Sequence, residues 1–252
     1  MNGFVVIIPV RWESERLPGK PLADIVGRTM IERVYGQATA SGAEEVIVAT
    51  DSAEIEAACR SFGAHVEMTS RDHASGTDRI AEVAARSGWS GDRIVVNVQG
   101  DEPLIPPKLI DQVAGLLGDD PSADLATLMT PLVDESEYTN PNMAKVVTDE
   151  RGAAIYFSRS PVPWSRDGKP PGDARRHIGI YGYRARALQQ LAAAPVAPLE
   201  RAERLEQLRA LWLGMRIAIA DACELPSRGV DTAEDLEIIR RIVEQRGQEG
   251  FG

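Results

Sequence analysis

The stretch Ile94-Val95-Val96-Asn97-Val98-Gln99-Gly100-Asp101-Glu102-Pro103 decides the fold reading. Its first half is a short, nearly continuous apolar run rich in β-branched residues. Such a run marks a strand buried on both faces of a parallel sheet, because a half-exposed strand would alternate apolar with polar. Two further runs share this character, Phe4–Ile8 and Val46–Ala49. Between the runs, Met30, Ile31, Val34, Tyr35 and Ala38 fall at helical spacing, as do Ile55, Ala58, Cys59 and Phe62. The outcome is a β-α-β-α rhythm, which builds an α/β sheet with right-handed crossovers and helices on both faces.

Beyond Leu104 the rhythm changes. A helix is expected over Pro107–Leu117 and a strand over Leu125–Met129. Ala144–Thr148 and Ala153–Ser158 read as a hairpin closed by the turn Asp149–Gly152, an antiparallel addition to a mixed, mostly parallel sheet. The proline- and glycine-rich stretch Ser160–Arg176 reads as an irregular loop. Leu205, Leu208, Leu211 and Trp212 define one amphipathic helix, Ile217–Ala220 a strand, and Leu236, Ile238, Ile239 and Ile242 a closing helix.

At 252 residues and 43% hydrophobic, the chain can bury a sizeable core, and one α/β domain is the expectation. A net charge of -10 repels a long phosphate backbone, so no nucleic-acid partner is expected. Cys59 and Cys223 lack metal-ligand spacing and read as two buried free thiols. Without a spanning-length apolar segment or a leader pattern, the expectation is a cytoplasmic protein with no membrane partner.

Three places carry chemistry. The loop after the first strand, Arg11 to Lys20, holds the cations Arg11, Arg16 and Lys20. In open α/β sheets ligands bind beyond the carboxyl ends of the strands, so these cations suit a polyphosphate. No Walker A loop or G-x-G-x-x-G fingerprint is present, which argues against a P-loop NTPase and a dehydrogenase. Ser75 and Asp78 have capping-box spacing ahead of Ile80, Val83 and Ala84, and Gly76 beside them permits close approach of a nucleotide. His73 in the same segment reads as structural. Asp101, at the carboxyl end of the central run, is a natural Mg²⁺ ligand. A second carboxylate, Asp231, precedes the closing helix, which Thr232 and Asp235 can cap.

Taken together the motifs resemble the 3-deoxy-manno-octulosonate cytidylyltransferases, the CMP-Kdo synthetases. The matching segments run nearly the full length: Val6-Ile7-Ile8-Pro9, Arg16–Leu22, Asp72–Arg79, Val96–Pro103, Asn140-Pro141-Asn142 with Lys145-Val146-Val147, Tyr156–Arg159, His177–Arg184, Leu205–Arg209 and Gly229–Thr232. Their order and spacing, rather than any single segment, make the likeness specific.

This resemblance implies a GT-A-like, Rossmann-related nucleotidyltransferase fold in one domain. Its nucleotide part would cover about 1–120, its sugar-binding and dimerisation part about 121–230, and its closing helix about 232–246. It implies CTP and Kdo as substrates, Mg²⁺ as cofactor and a homodimer. Arg11, Arg16 and Lys20 would neutralise the triphosphate. Pro9, Val10, Ser75, Gly76 and Gln99 would contact the nucleotide. Asp101 and Asp231 would bind the metal, and Gln99, Arg159, His177, Tyr181, Glu206 and Gln207 would hold the sugar acid. Arg11, Lys20, Asp101 and Asp231 are the residues that would carry the reaction. Two departures from the family pattern stand out: Val10 replaces a small residue, and Ser14-Glu15 replaces Ser-Thr, placing an extra acid beside the phosphate loop. CMP-sialic acid synthetases and sugar-1-phosphate nucleotidyltransferases share the phosphate-loop logic. The His177–Arg184 and Glu206-Gln207 segments favour the Kdo family over both. A non-catalytic nucleotide-binding regulator is countered by Lys20, Asp101 and Asp231.

Overall fold

The computed structural model describes residues 3–13, 16–167, 169–226 and 228–249. The chain divides into two compact units, one of Gly3–Gly88, Asn97–Asp111 and Pro226–Gly252, the other chiefly of Trp89–Val96 and Gln112–Leu225.

The first unit opens with β1 (Phe4–Val10), buried at every position. A 3-10 turn (Lys20–Leu22) and a two-strand ribbon, β2 (Asp24–Ile25) with β3 (Arg28–Thr29), follow. Then come α1 (Met30–Thr39), β4 (Glu45–Thr50), α2 (Ala53–Ser61), β5 (His65–Met68) and α3 (Gly76–Arg86). β1 pairs with β4 and β4 with β5, both in parallel. Because the crossovers are helices, β1 and β4 are apolar on both faces, as the run Val5–Ile8 shows, whereas the edge strand β5 keeps His65 and Met68 exposed. Helix starts follow local side-chain chemistry. Thr29 and Ser52 cap α1 and α2 by accepting amides of Glu32 and Ile55, and Ser75 with Asp78 forms a complete capping box on α3.

The second unit begins with β6 (Ile94–Asn97), whose last residue crosses the division, as do the first residues of α4 (Pro107–Asp119). It continues with β7 (Leu125–Pro131), α5 (Glu135–Thr139), β8 (Lys145–Thr148), β9 (Ala154–Ser158), β10 (Arg175–Arg184), α6 (Ala185–Ala193), α7 (Pro198–Glu203), α8 (Gln207–Trp212) and β11 (Ile217–Asp221). Its strand order is β11-β7-β10-β6, with β8 beside β10 and β9 beside β8. β7 runs parallel to β11 and antiparallel to β10. The α9 helix (Ala233–Glu249) returns to the first unit, where Leu236 and Ile239 join Ile25, Met30, Leu104 and Val230 in one apolar cluster.

The architecture is the mixed α/β class expected from the sequence, and β8–β9 is the expected antiparallel hairpin. Its turn is held by the Asp149 carboxylate, which accepts the Arg151 and Ala153 amides. Three details differ. The loop expected over 160–176 yields its last two residues, Arg175 and Arg176, to β10, and its Gly168 lies outside the described residues. The single helix expected over Leu205–Trp212 begins only at Gln207, because Arg204 adopts a left-handed backbone (φ 52°) that separates it from α7. Cys59 is buried and its thiol is pushed up to about 12 by burial, but Cys223 is exposed, since it follows the end of β11 rather than facing a core. Among the described residues, no helix is long and apolar enough to cross a membrane.

Candidate functional site

The parallel strands of the first unit end in a cluster of opposite charges. The Lys20 ammonium donates to Asp101 Oδ2 at 2.8 Å and to the Val230 carbonyl at 2.8 Å, and lies 3.6 Å from Asp231 Oδ1. Arg16 donates to the same Asp231 oxygen at 3.0 Å. Four residues from three distant stretches of sequence therefore meet. Lys20 arrives on the 3-10 turn after the β1 loop. Asp101 follows the end of β6, and Asp231 sits just before α9. A backbone bond from Val230 N to Asp101 O, 2.8 Å, joins the last two segments. The closing helix is capped by Thr232 and Asp235: the Asp235 carboxylate accepts the amides of Asp231 and Thr232, and the Thr232 hydroxyl accepts that of Asp235.

Exposure divides the labour within this cluster. The Lys20 side chain is 15% exposed, whereas Asp101 is 35% and Asp231 55% exposed. A half-buried cation thus anchors two carboxylates that remain open to solvent and to a ligand. Glu102, beside Asp101 in the acidic turn, has no role implied by its sequence position. Burial, reinforced by the neighbouring Asp101 charge, pushes its carboxyl up to about 7. Its adjacency to Asp101 was visible in the sequence, but its desolvation was not.

The remaining nucleotide-side candidates surround this cluster unevenly. Pro9 and Val10 are buried at the end of β1, and Arg11, the next residue, is exposed. Gly100 has no side chain because Val10 occupies the space: a Cβ there would stand 2.8 Å from Val10 Cγ2 and 3.2 Å from the Pro9 carbonyl. Gly76 likewise turns its bare side to the Pro9 ring, 3.3 Å from where a Cβ would lie, so the glycine serves packing of α3 on β1 at that point. Gln99 is half-buried and its carbonyl accepts the Glu102 amide. His73 bonds Glu82, away from the acidic pair. Ser14 and Glu15, the departure beside the phosphate loop, lie outside the described residues.

The sugar-side candidates other than Gln99 belong to the second unit. The His177 Nε2 lies 2.9 Å from the Thr127 hydroxyl, with the Phe157 ring at 5.1 Å edge-on and the Tyr181 ring at 5.3 Å. Burial pushes the imidazole down to about 3, so His177 is neutral at physiological pH. The Tyr181 phenol is held well above its ordinary value by burial, then by the nearby Tyr183 and Glu206. Its hydroxyl is buried beside the Thr127 side chain, which opposes that shift, and Gln207 Nε2 is buried with no hydrogen-bond partner among the described residues. A buried amide nitrogen of this kind suits a polyhydroxylated ligand. Arg159 is held beside the α7–α8 turn, its Nε donating to the Glu203 carbonyl at 2.6 Å.

This fold, with a cation and two carboxylates gathered at strand ends, defines a class: α/β proteins equipped to handle a nucleoside triphosphate. A family model described as Cytidylyltransferase matches residues 5–217. A 3-deoxy-manno-octulosonate cytidylyltransferase of Pseudomonas syringae pv. tomato is 54% identical over 249 residues, 96% of this chain and 98% of that one. One of Vibrio cholerae serotype O1 is 53% identical over 251 residues, 97% and 99% of the two chains. A solved CMP:2-keto-3-deoxy-manno-octonic acid synthetase complexed with CTP is similar with TM-score 0.91 at 41% identity, covering 97% of this chain and 99% of that one. The chain belongs to the cytidylyltransferase family, in its 3-deoxy-manno-octulosonate branch. At 13% identity and TM-score 0.65, a 4-diphosphocytidyl-2C-methyl-D-erythritol synthase, matched over 96% of this chain and 99% of its own, shares the fold alone.

Proposed function

We propose that this enzyme transfers CMP from CTP to 3-deoxy-D-manno-octulosonate (Kdo), giving CMP-Kdo and pyrophosphate for lipopolysaccharide biosynthesis. The observation that carries this reading is the joining of Asp101, Asp231 and Arg16 around Lys20, within a chain related at 54% identity to 3-deoxy-manno-octulosonate cytidylyltransferases.

Both reactants are anions, so the protein's first task is electrostatic. Arg11, Arg16 and Lys20 supply positive charge for the triphosphate. Pro9, Val10, Ser75, Gly76 and Gln99 are the proposed cytidine contacts. A carboxylate pair suits Mg²⁺, which binds through one or two carboxylates and completes its shell with water and substrate phosphates. Accordingly no cluster of three or more His, Cys, Asp or Glu residues is needed, and none occurs among the described residues. Held by Asp101 and Asp231, Mg²⁺ would neutralise phosphate charge and lower the pKa of the acceptor hydroxyl.

The acceptor's anomeric oxygen forms a bond to the α-phosphorus as the bond to pyrophosphate breaks, and the hydroxyl proton is released. No side-chain nucleophile is required, and catalysis rests on positioning and charge stabilisation. Arg159 presents a fork to the acceptor's carboxylate. Neutral His177, Tyr181 and Gln207, whose amide nitrogen is buried without a partner among the described residues, present hydrogen bonds to its hydroxyls. Glu206 and Gln99 complete that set. We further propose a homodimer in the cytoplasm.

The test is pyrophosphate release from each of the four common nucleoside triphosphates, paired in turn with Kdo, an amino-Kdo, sialic acid and hexose phosphates. Release with CTP and Kdo, at least tenfold above every other pairing, is expected. Preference for sialic acid or a hexose phosphate would overturn the reading, as would no turnover with any pair.

A further inference from the structure

Lys145 is fully buried in a strand, yet it has no carboxylate within hydrogen-bonding distance among the described residues. Its ammonium donates instead to three carbonyls: Asn140 at 2.9 Å, Met143 at 2.6 Å and Arg159 at 2.6 Å. Burial pulls its pKa down, and the Glu203 charge opposes that shift. A buried ammonium costs several kcal/mol in desolvation, of order that of other buried ions, so its retention here calls for a reason.

Glu203 is as closely engaged. One carboxylate oxygen accepts the Ser158 hydroxyl at 2.7 Å and the other accepts the Arg159 amide at 2.9 Å. The carbonyl of Glu203 then accepts Arg159 Nε at 2.6 Å. Arg204 adds its own carbonyl to Arg159 Nη2 at 3.3 Å, from a left-handed backbone that a non-glycine residue rarely adopts. On the opposite side, Pro141 O accepts Arg159 Nη1 at 2.9 Å. Lys145 ties the Asn140–Met143 turn to the backbone of Arg159, and that turn includes the Pro141 carbonyl.

These contacts converge on one guanidinium. Of the five N–H donors of an arginine, three are taken by main-chain carbonyls, leaving one on each terminal nitrogen. Two donors on neighbouring nitrogens match the two oxygens of a carboxylate. We propose that Lys145 and Glu203 are positioning residues that fix Arg159 so that its two remaining donors face the carboxylate of the acceptor sugar acid. This rests on the reading of Arg159 given above. Neither residue touches the substrate; both act through Arg159.

The test is steady-state kinetics of Lys145→Met, Glu203→Gln, Arg159→Ala and the double variants that combine each with Arg159→Ala, using Kdo and CTP. Lys145→Met and Glu203→Gln should each raise KM for Kdo tenfold or more while KM for CTP changes less than twofold. Added to Arg159→Ala, neither should cost more than a further twofold. Unchanged KM for Kdo, equal rises in both KM values, or additive losses in the double variants would overturn the proposal. If Lys145→Met does not fold, the nearly isosteric Glu203→Gln decides alone. An Arg159→Ala variant with normal KM for Kdo would instead remove the role of Arg159, and a wild-type chain that fails to use Kdo would remove the proposed function itself.

Discussion

The two groups of site residues solve different electrostatic problems. At the strand ends of the first unit, charge is concentrated and left open: the Asp101 and Asp231 carboxylates are 35% and 55% exposed around a half-buried ammonium. In the second unit, charge is suppressed. His177 is held neutral by burial, the Tyr181 phenol is kept protonated, and Gln207 presents an amide nitrogen without a partner. Under the proposed function, a triphosphate would be met by opposing charge, whereas the body of a sugar would be met by neutral hydrogen-bonding groups in a desolvated setting. Arg159 brings positive charge to the second group, and the Glu206 carboxylate that acts on Tyr181 brings negative charge.

The largest effect should follow from removing charge in the first group. Asp101→Asn keeps shape and deletes a carboxylate, so turnover should fall by about two orders of magnitude or more, roughly 3 kcal/mol in the barrier. Thermal unfolding should stay near wild type, because this half-exposed strand-end acid contributes no core packing. Single-turnover rates and a melting curve measure both.

A smaller effect should follow from disturbing neutrality in the second group. Replacing His177 with Phe removes a bond to Thr127 without changing charge, and KM for Kdo should rise several-fold while KM for CTP holds. The same residue links pH to stability. Its folded pKa is lowered to about 3 from an ordinary 6.5, so the unfolded chain binds more protons between those values. Stability from this group is therefore complete above about 6.5 and is lost progressively as pH falls towards 3. Urea unfolding at pH 7 and pH 5 should show a loss in the wild type that is reduced in His177→Phe.

The smallest effect is expected at Glu102. Its carboxyl is raised to about 7, so below that pH it is largely protonated and Glu102→Gln replaces one neutral group with another. Activity at pH 6.5 should stay within about threefold of wild type. A raised acid stabilises the fold below its ordinary value of 4.5, and that contribution is lost as pH rises through about 7. The variant should therefore lose less stability than wild type between pH 5 and pH 8, measured by denaturant titration.

Much of this was legible in the sequence, for definable reasons. The buried runs in β1, β4 and β6 announce themselves because a two-sided strand has no polar face. The acidic turn after β6 is located by the strand before it, and the capping pairs Ser75/Asp78 and Thr232/Asp235 are local enough to be written in spacing alone. By contrast, β10 was harder to see. Gly179 and Gly182 interrupt it, and its pairing with β7 shifts register between Ile178 and Tyr181, which destroys the two-residue alternation. The break at Arg204 is hidden because leucines 205, 208 and 211 continue a helical spacing across the turn. Lys145 is the least legible residue, since a lysine in a four-residue strand gives no sign of being fully buried against three carbonyls.

The central claim is that Asp101 and Asp231 act as one unit on one nucleotide. The most direct measurement is a double-variant cycle of Asp101→Asn and Asp231→Asn, read as CTP- and Kdo-dependent pyrophosphate release. Each single variant should lose about a hundredfold, and the pair should lose little more than either alone, because removing one member already disables the unit. Near-normal turnover in either single variant, or losses that multiply in the double variant, would contradict the account.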